Sequence, residues 1–245
     1  MPGKIKQIIQ NNFFRPGWYS VLINPYFIAR RGLHKQIKDF SSSQDFSGRK
    51  ILDVGCGQKP YQSLFSGAEQ YFGIDIEGGG HYDGAKTVDK FYDGQHIPLA
   101  DASFDYVICT QVLEHAANPT LLLGEIARVL KPGGQLFLTM PFVWSEHEIP
   151  FDFRRFTRYE HARLLKASGL EMVTIQDTTG FFRTIGQLSS AFIFEGLSRH
   201  LPLRHAFQPL IALMICAPIQ IGAILLDWIF PNRGLTLDYA VRARK

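Results

Sequence analysis

Cysteine is scarce in this chain: Cys56, Cys109 and Cys216 are the only three in 245 residues. Their odd number and wide spacing fit neither a zinc site nor a C-x-x-C redox pair. Reduced thiols in a cytoplasmic protein are therefore expected, and no metal is. No apolar run of signal-peptide length precedes Asn11, which argues against a secretory signal. The sequence has no internal repeat and no low-complexity tract. Charged residues make up 20% against 46% apolar, which excludes a disordered chain and reads as globular. The length suits one large α/β domain with additions rather than two full domains.

Charge is unevenly placed. Residues 1–50 carry nine Lys/Arg against two Asp/Glu, residues 51–230 thirteen against nineteen, and residues 231–245 four against one. A basic N-terminal segment beside an acidic body can meet an anionic surface, or it can be a solvated helix face. In residues 1–48, Asn24-Pro25 marks a helix start, Leu33, Ile37 and Phe40 share one helical face, and Ser41-Ser42-Ser43 ends the helix. This predicts an N-terminal helical extension over 1–48 and a main domain over 49–245.

From Lys50 short apolar runs alternate with helices. Strands are predicted at Ile51–Val54, Tyr71–Ile74, near Thr87-Val88, at Phe104–Thr110, Gln135–Met140, Leu170–Gln176 and Leu235–Val241. Asn118-Pro119 starts a helix that Lys131-Pro132-Gly133-Gly134 stops, and Thr157 with Glu160 has capping-box spacing for another. The alternation predicts an α/β fold, a doubly wound seven-stranded sheet. An apolar helical insert, 181–230, precedes the last strand.

The first strand ends in Asp53-Val54-Gly55-Cys56-Gly57. Gly55 and Gly57 let the backbone turn tightly and approach a ligand, and a helix is expected to follow with its N–H groups aimed there. The third glycine of a dinucleotide fingerprint is absent, since Gln58, Lys59 and Pro60 come next. Asp75, twenty residues after Gly55, can accept ribose hydroxyls. Asp93-Gly94 precedes the fourth strand, where a carboxylate can read an adenine amino group or simply form a surface turn.

Ile51 to Gly57, Gly73-Ile74-Asp75, Asp93 to Leu99, Ser103-Phe104-Asp105, Val112-Leu113-Glu114-His115 and Leu130 to Gly134 occur in order. Together they resemble the type 11 group of class I S-adenosylmethionine (SAM)-dependent methyltransferases, which includes quinone-biosynthesis enzymes, over roughly residues 48–180 and the final strand. The resemblance implies SAM as cofactor, with Asp53, Gly55, Cys56 and Gly57 around its methionine portion. Asp75 falls at the ribose, Ile76 and Asp93-Gly94 at the adenine, and Thr110 and Gln111 beside the sulfonium. The Gly78-Gly79-Gly80-His81 run after Asp75 is unusual and would shorten the helix expected there.

Methyl transfer from a sulfonium is an in-line displacement, and a base is needed only if the acceptor must lose a proton. The loop after the fifth strand offers His147 as a base and Arg155 as a contact for an anionic acceptor. Hydrogen bonds that merely pin the loop are the competing role. His115 is assigned to packing or loop support. The Glu146–Thr157 run resembles a loop in a subset of the family loosely associated with cell-surface polysaccharide or lipid-linked glycan loci. The expected partner is a small-molecule, glycan or lipid-linked acceptor, and nucleic acid is not expected.

Ala206–Leu226 is 21 residues without a charge, long enough for a bilayer. A single crossing conflicts with strands six and seven sharing a sheet, and Pro209, Pro218 and Gly222 weaken or kink a helix. It reads as a contact with the inner face of a membrane, assisted by Arg183, Arg199 and Arg204, or as a lid or homodimer contact. Two rival functions remain at this level: a non-catalytic, membrane-associated SAM-binding module, and a nicotinamide-dependent oxidoreductase, against which the missing glycine counts.

Overall fold

The structure is a computed structural model that describes residues 13–77, 87–200 and 204–245. The Gly78–His81 run, the residues before Phe13 and the side chain of Arg204 lie outside the described residues. The chain divides into two compact units: residues 1–36 with 177–238, and residues 37–176 with 239–245.

The second unit is built on the sheet. Its strands are β1 (Lys50–Val54), β2 (Gln70–Ile76), β3 (Lys90–Tyr92), β4 (Phe104–Thr110), β5 (Leu130–Pro141), β6 (Glu171–Asp177) and β7 (Asp238–Arg244), in the order β3-β2-β1-β4-β5-β7-β6. Strands β1 to β5 pair in parallel. β7 runs against them: Gly133 N donates to Lys245 O and Lys245 N to Gly134 O, both at 3.0 Å, so the end of β7 meets the start of β5. Alternate residues point to opposite faces. Leu52, Val107, Cys109, Leu136 and Leu138 pack with Leu122 and Ile126 of α2 (Pro119–Val129) and Leu164 and Leu165 of α3 (Arg158–Ala167). Ile51, Tyr106, Ile108 and Phe137 face the other way, onto Ile37 and Phe40 from the end of α1 (Phe27–Ser42). Phe40 stacks on Phe137 with ring centroids 4.9 Å apart.

Two of the three predicted helix starts hold, while α1 begins at Phe27, two residues after the predicted Asn24-Pro25 start, with Asn24 Oδ1 accepting Tyr26 N at 2.9 Å. Asn118 accepts Leu121 N at 3.1 Å with Pro119 in the first turn, and Thr157 accepts Glu160 N. Three strands shift. β3 begins at Lys90 rather than at Thr87-Val88, because Asp89 spends its side chain on Gly73 N at 2.6 Å and holds the preceding residues as loop. β5 is longer than predicted, since the Lys131–Gly134 turn is absorbed into it with a register shift opposite Phe104–Tyr106. β7 begins three residues late because Leu237 N bonds the Thr179 hydroxyl at 2.9 Å rather than a neighbouring strand.

The first unit is helical. α4 (Phe181–Ala191), extended by wider π turns over Phe192–Leu197, lies antiparallel to α6 (Ala217–Ile229). The pairs Gly180–Asp227, Gly186–Ala223 and Ser190–Cys216 establish that direction. The two ends of this hairpin meet where Thr178 N donates to Asp238 O at 3.1 Å. α5 (Arg204–Ile211) runs into α6 through a π turn at Ala212–Cys216. The expected weakening by Pro209 and Pro218 does not break the helix. The wider turn just before Pro218 relieves the ring and the missing N–H.

The hairpin's polarity is inverted relative to a soluble protein. Its buried side chains are small or polar: Thr184, Gly186, Gln187 and Ser190 on α4, and Ala217, Gln220, Ala223 and Asp227 on α6. Its large apolar side chains, including Leu210, Met214, Leu225 and Trp228, are exposed. The two buried glutamines also finish α1. Gln187 Oε1 accepts Ala29 N at 3.1 Å and Gln220 Oε1 accepts Ile28 N at 3.2 Å, two first-turn donors with no partner inside the helix. Their amide groups donate to Pro25 O and Asn24 O.

Candidate active site

Two glycines set the loop after β1. Gly55 has φ +71° and Gly57 φ +51°, a region that disfavours any side chain. At Gly55 a Cβ would also lie 2.3 Å from Val112 Cγ2, whereas at Gly57 it would meet nothing within 4 Å. The first glycine is there for close packing and the second faces open space. Cys56 is buried behind the loop, where burial pushes its thiol up to about 12 and keeps it protonated.

The helix expected after Gly57 is not formed. Lys59 takes φ +51°, Pro60 follows, and only a short 3-10 segment, Gln62–Phe65, lies before β2. Side chains hold the loop instead. Gly57 N donates to Asp75 Oδ2 at 2.8 Å, and the buried Lys59 ammonium pairs with Asp89. The sequence reading missed Lys59 and Asp89, and only the run Gln58-Lys59-Pro60 hinted that another device was needed.

Asp53 lies beneath the loop and accepts the Tyr71 hydroxyl at 2.6 Å; burial pushes its carboxyl up to about 7 despite that bond. Asp75 Oδ1 accepts Ile76 N at 2.7 Å. Ile76 leaves 38% of its surface exposed, and a Cβ on Gly94 (φ +81°) would sit 3.3 Å from its Cγ2, so these two residues adjoin. Asp93 folds back on its own turn, accepting Gln95 N, His96 N and the His96 ring; these bonds hold its carboxyl at about 2. Gln111, at φ +55°, ties the ends of β4 and β5 through N–H and amide bonds to Thr139 at 3.0 and 3.3 Å, directly after Thr110.

The loop after β5 is stitched to the segment after β4. Phe153 N donates to Glu114 O, Arg154 to Ala116 O and Ala117 O, and the His115 ring meets Phe151 O. Within the loop, Asp152 receives both Arg155 nitrogens at 2.5 and 2.7 Å and His147 N at 2.9 Å. The Arg155 guanidinium holds Asp152 at about 2, and burial lowers the His147 imidazole below its usual value. Both Arg155 terminal nitrogens thus bond Asp152, while the His147 side chain stands 29% exposed at the loop surface.

A family model described as "Methyltransferase domain" matches residues 52–138, from β1 to β5. Over these residues the chain is similar to the SAM-dependent methyltransferase domains of the type 11 group. Among curated relatives, a Mycolicibacterium smegmatis protein named "Probable S-adenosylmethionine-dependent methyltransferase" is 32% identical over 157 residues, covering 57% of this chain and 58% of that one. A Xanthomonas oryzae protein named ubiquinone biosynthesis O-methyltransferase is 34% identical over 109 residues, 40% of this chain and 46% of that one. The chain spans about half the length of these relatives. A SAM-dependent methyltransferase structure from Mesorhizobium loti shares the fold, with TM-score 0.56 and 13% identity over 89% of this chain and 100% of that chain. The family's cofactor is SAM, and the loop fits it: an open, side-chain-free approach at Gly57 lies between buried carboxylates and an exposed apolar ledge at Ile76.

Proposed function

We propose that this methyltransferase works at a membrane surface and methylates a lipid-linked acceptor. SAM supplies a methyl group on a sulfonium, ready for in-line displacement. Asp53, Gly55, Cys56 and Gly57 hold its methionine end, Asp75 its ribose, Ile76, Asp93 and Gly94 its adenine, and Thr110 and Gln111 line the transfer point. At neutral pH the His147 ring can accept a proton from an acceptor hydroxyl, with Asp152 orienting it. Arg155 acts through Asp152 rather than on the acceptor.

The inverted hairpin carries the membrane reading. Helix Ala206–Ile229 has 24 residues; its most apolar stretch has mean hydropathy 2.2, and only 28% of that stretch is buried. A soluble core helix would bury that surface. Small residues at the helix contact and polar groups inside are how helices pack in lipid, where apolar side chains gain nothing from meeting each other. Because the chain goes out on α4 and returns on α6, the hairpin enters and leaves by the same side, so a membrane contact here needs no single crossing. The occupant of its exposed face is acyl chain.

The test is incubation of the full chain with methyl-labelled SAM and membranes of its source, followed by solvent extraction. Label in the organic phase is expected. Label confined to water-soluble products would overturn the lipid-linked acceptor. SAM binding with no transfer to any fraction would favour the non-catalytic module.

A further inference from the structure

His115 and His147 hold their rings in the same way. His115 Nδ1 lies 3.0 Å from Phe151 O, a group that can only accept, so the ring proton sits on Nδ1 and Nε2 carries the lone pair. His147 Nδ1 lies 3.1 Å from Asp152 Oδ2, 3.3 Å from Ser145 O and 3.4 Å from the Arg155 guanidinium; with its proton on Nδ1, toward the nearer carboxylate, Nε2 is left to bind a cation. The two rings are nearly perpendicular, with centroids 5.0 Å apart. Beside them is Glu114, fully buried, and one ligand atom from each of Glu114, His115 and His147 lies within 4.8 Å of the other two. His115 Nε2 is 3.8 Å from Glu114 Oε1 and 3.8 Å from Glu148 Oε2.

Two imidazole nitrogens and a buried carboxylate oxygen gathered this closely are near enough to share one cation. We propose that Glu114, His115 and His147 bind one divalent transition-metal ion, with Glu148 at its edge. Two imidazoles and a carboxylate are a borderline donor set suited to zinc, cobalt or iron(II). The Nδ1 bonds to Phe151 O and Asp152 are the outer contacts that fix a ligand histidine's tautomer and orientation. At metal–nitrogen bonds of about 2.0–2.1 Å, tetrahedral donors stand roughly 3.3 Å apart, so the cluster contracts slightly on binding. Lying in the loops that follow β4 and β5, the ion would acidify an acceptor hydroxyl bound to it, and His147 would then be its ligand rather than the base. That use rests on the acceptor reading; the binding does not.

The full chain, stripped with chelator, is titrated with Zn²⁺ by calorimetry and with Co²⁺ by visible absorption. One saturable equivalent with a tetrahedral or five-coordinate cobalt spectrum is expected. His115→Gln and His147→Gln should each remove it, and Asp152→Asn should weaken it 10–100-fold by releasing the ring. SAM affinity in the same variants reports that they fold. No saturable equivalent, or unchanged binding in His115→Gln and His147→Gln, would overturn the site. Metal binding with no methyl transfer would leave it standing while the proposed function failed.

Discussion

Gly57 N donates to Asp75 Oδ2 at 2.8 Å, joining the loop after β1 to the tip of β2 through a single carboxylate. Asp75→Ala should weaken SAM binding by roughly 1.5–3 kcal/mol, the worth of a charge-assisted hydrogen bond, as read by calorimetry. Unchanged affinity would remove Asp75 from the site.

Gly55→Ala carries two separable penalties. Its positive φ costs about 1–2 kcal/mol for any L side chain. The 2.3 Å approach to Val112 Cγ2 adds overpacking of about 1–3 kcal/mol. Chemical denaturation of Gly55→Ala with Val112→Ala should recover only the second part relative to Val112→Ala alone. Full recovery would mean that backbone strain is unimportant there.

Asp53, raised from 3.8 to about 7 by burial, keeps a proton that the unfolded chain releases. Its contribution to stability is therefore fully present below the ordinary carboxylate range and is lost as pH rises through about 7. A cationic ligand beside it favours the ionised form, so SAM affinity should rise between pH 6 and 8, with proton release on binding at pH 6. Asp53→Asn should flatten the profile; a pH-independent wild-type affinity would contradict the assignment.

Gln187 and Gln220 cap α1 from a distance. Gln220→Leu leaves Ile28 N without its acceptor at a cost of about 1–3 kcal/mol. Amide exchange at Ile28 should accelerate while amides of β4 stay protected. Equal protection in the variant would mean that the cap contributes nothing.

Replacing exposed Leu213, Met214 and Leu225 with serine should abolish flotation with anionic vesicles, with far-ultraviolet circular dichroism unchanged. Flotation that survives these changes would leave the hairpin without the role proposed for it.

Much of the site was legible because its signals are local. Buried parallel strands read as short apolar runs, Asn118-Pro119 and Thr157 announce caps within three residues, and Gly55-x-Gly57 announces a turn. Asp75 and Ile76 follow from ending a strand at a known place. The register of β3 and β7, and the missing helix after Gly57, were not legible. They turn on which distant side chain reaches a backbone donor first: Asp89 for Gly73, Thr179 for Leu237, Asp75 for Gly57. Apolar content alone flagged residues 206–226, yet whether that content faces in or out depends on what packs beside it. Gln187 reaches Ala29 across 158 residues. The sequence by itself thus determined the doubly wound sheet and the glycine turn after its first strand, because strand periodicity and caps are local. The tertiary structure alone decided the inverted hairpin and the histidine–carboxylate cluster, because both arise where remote segments compete for the same buried donors and charges.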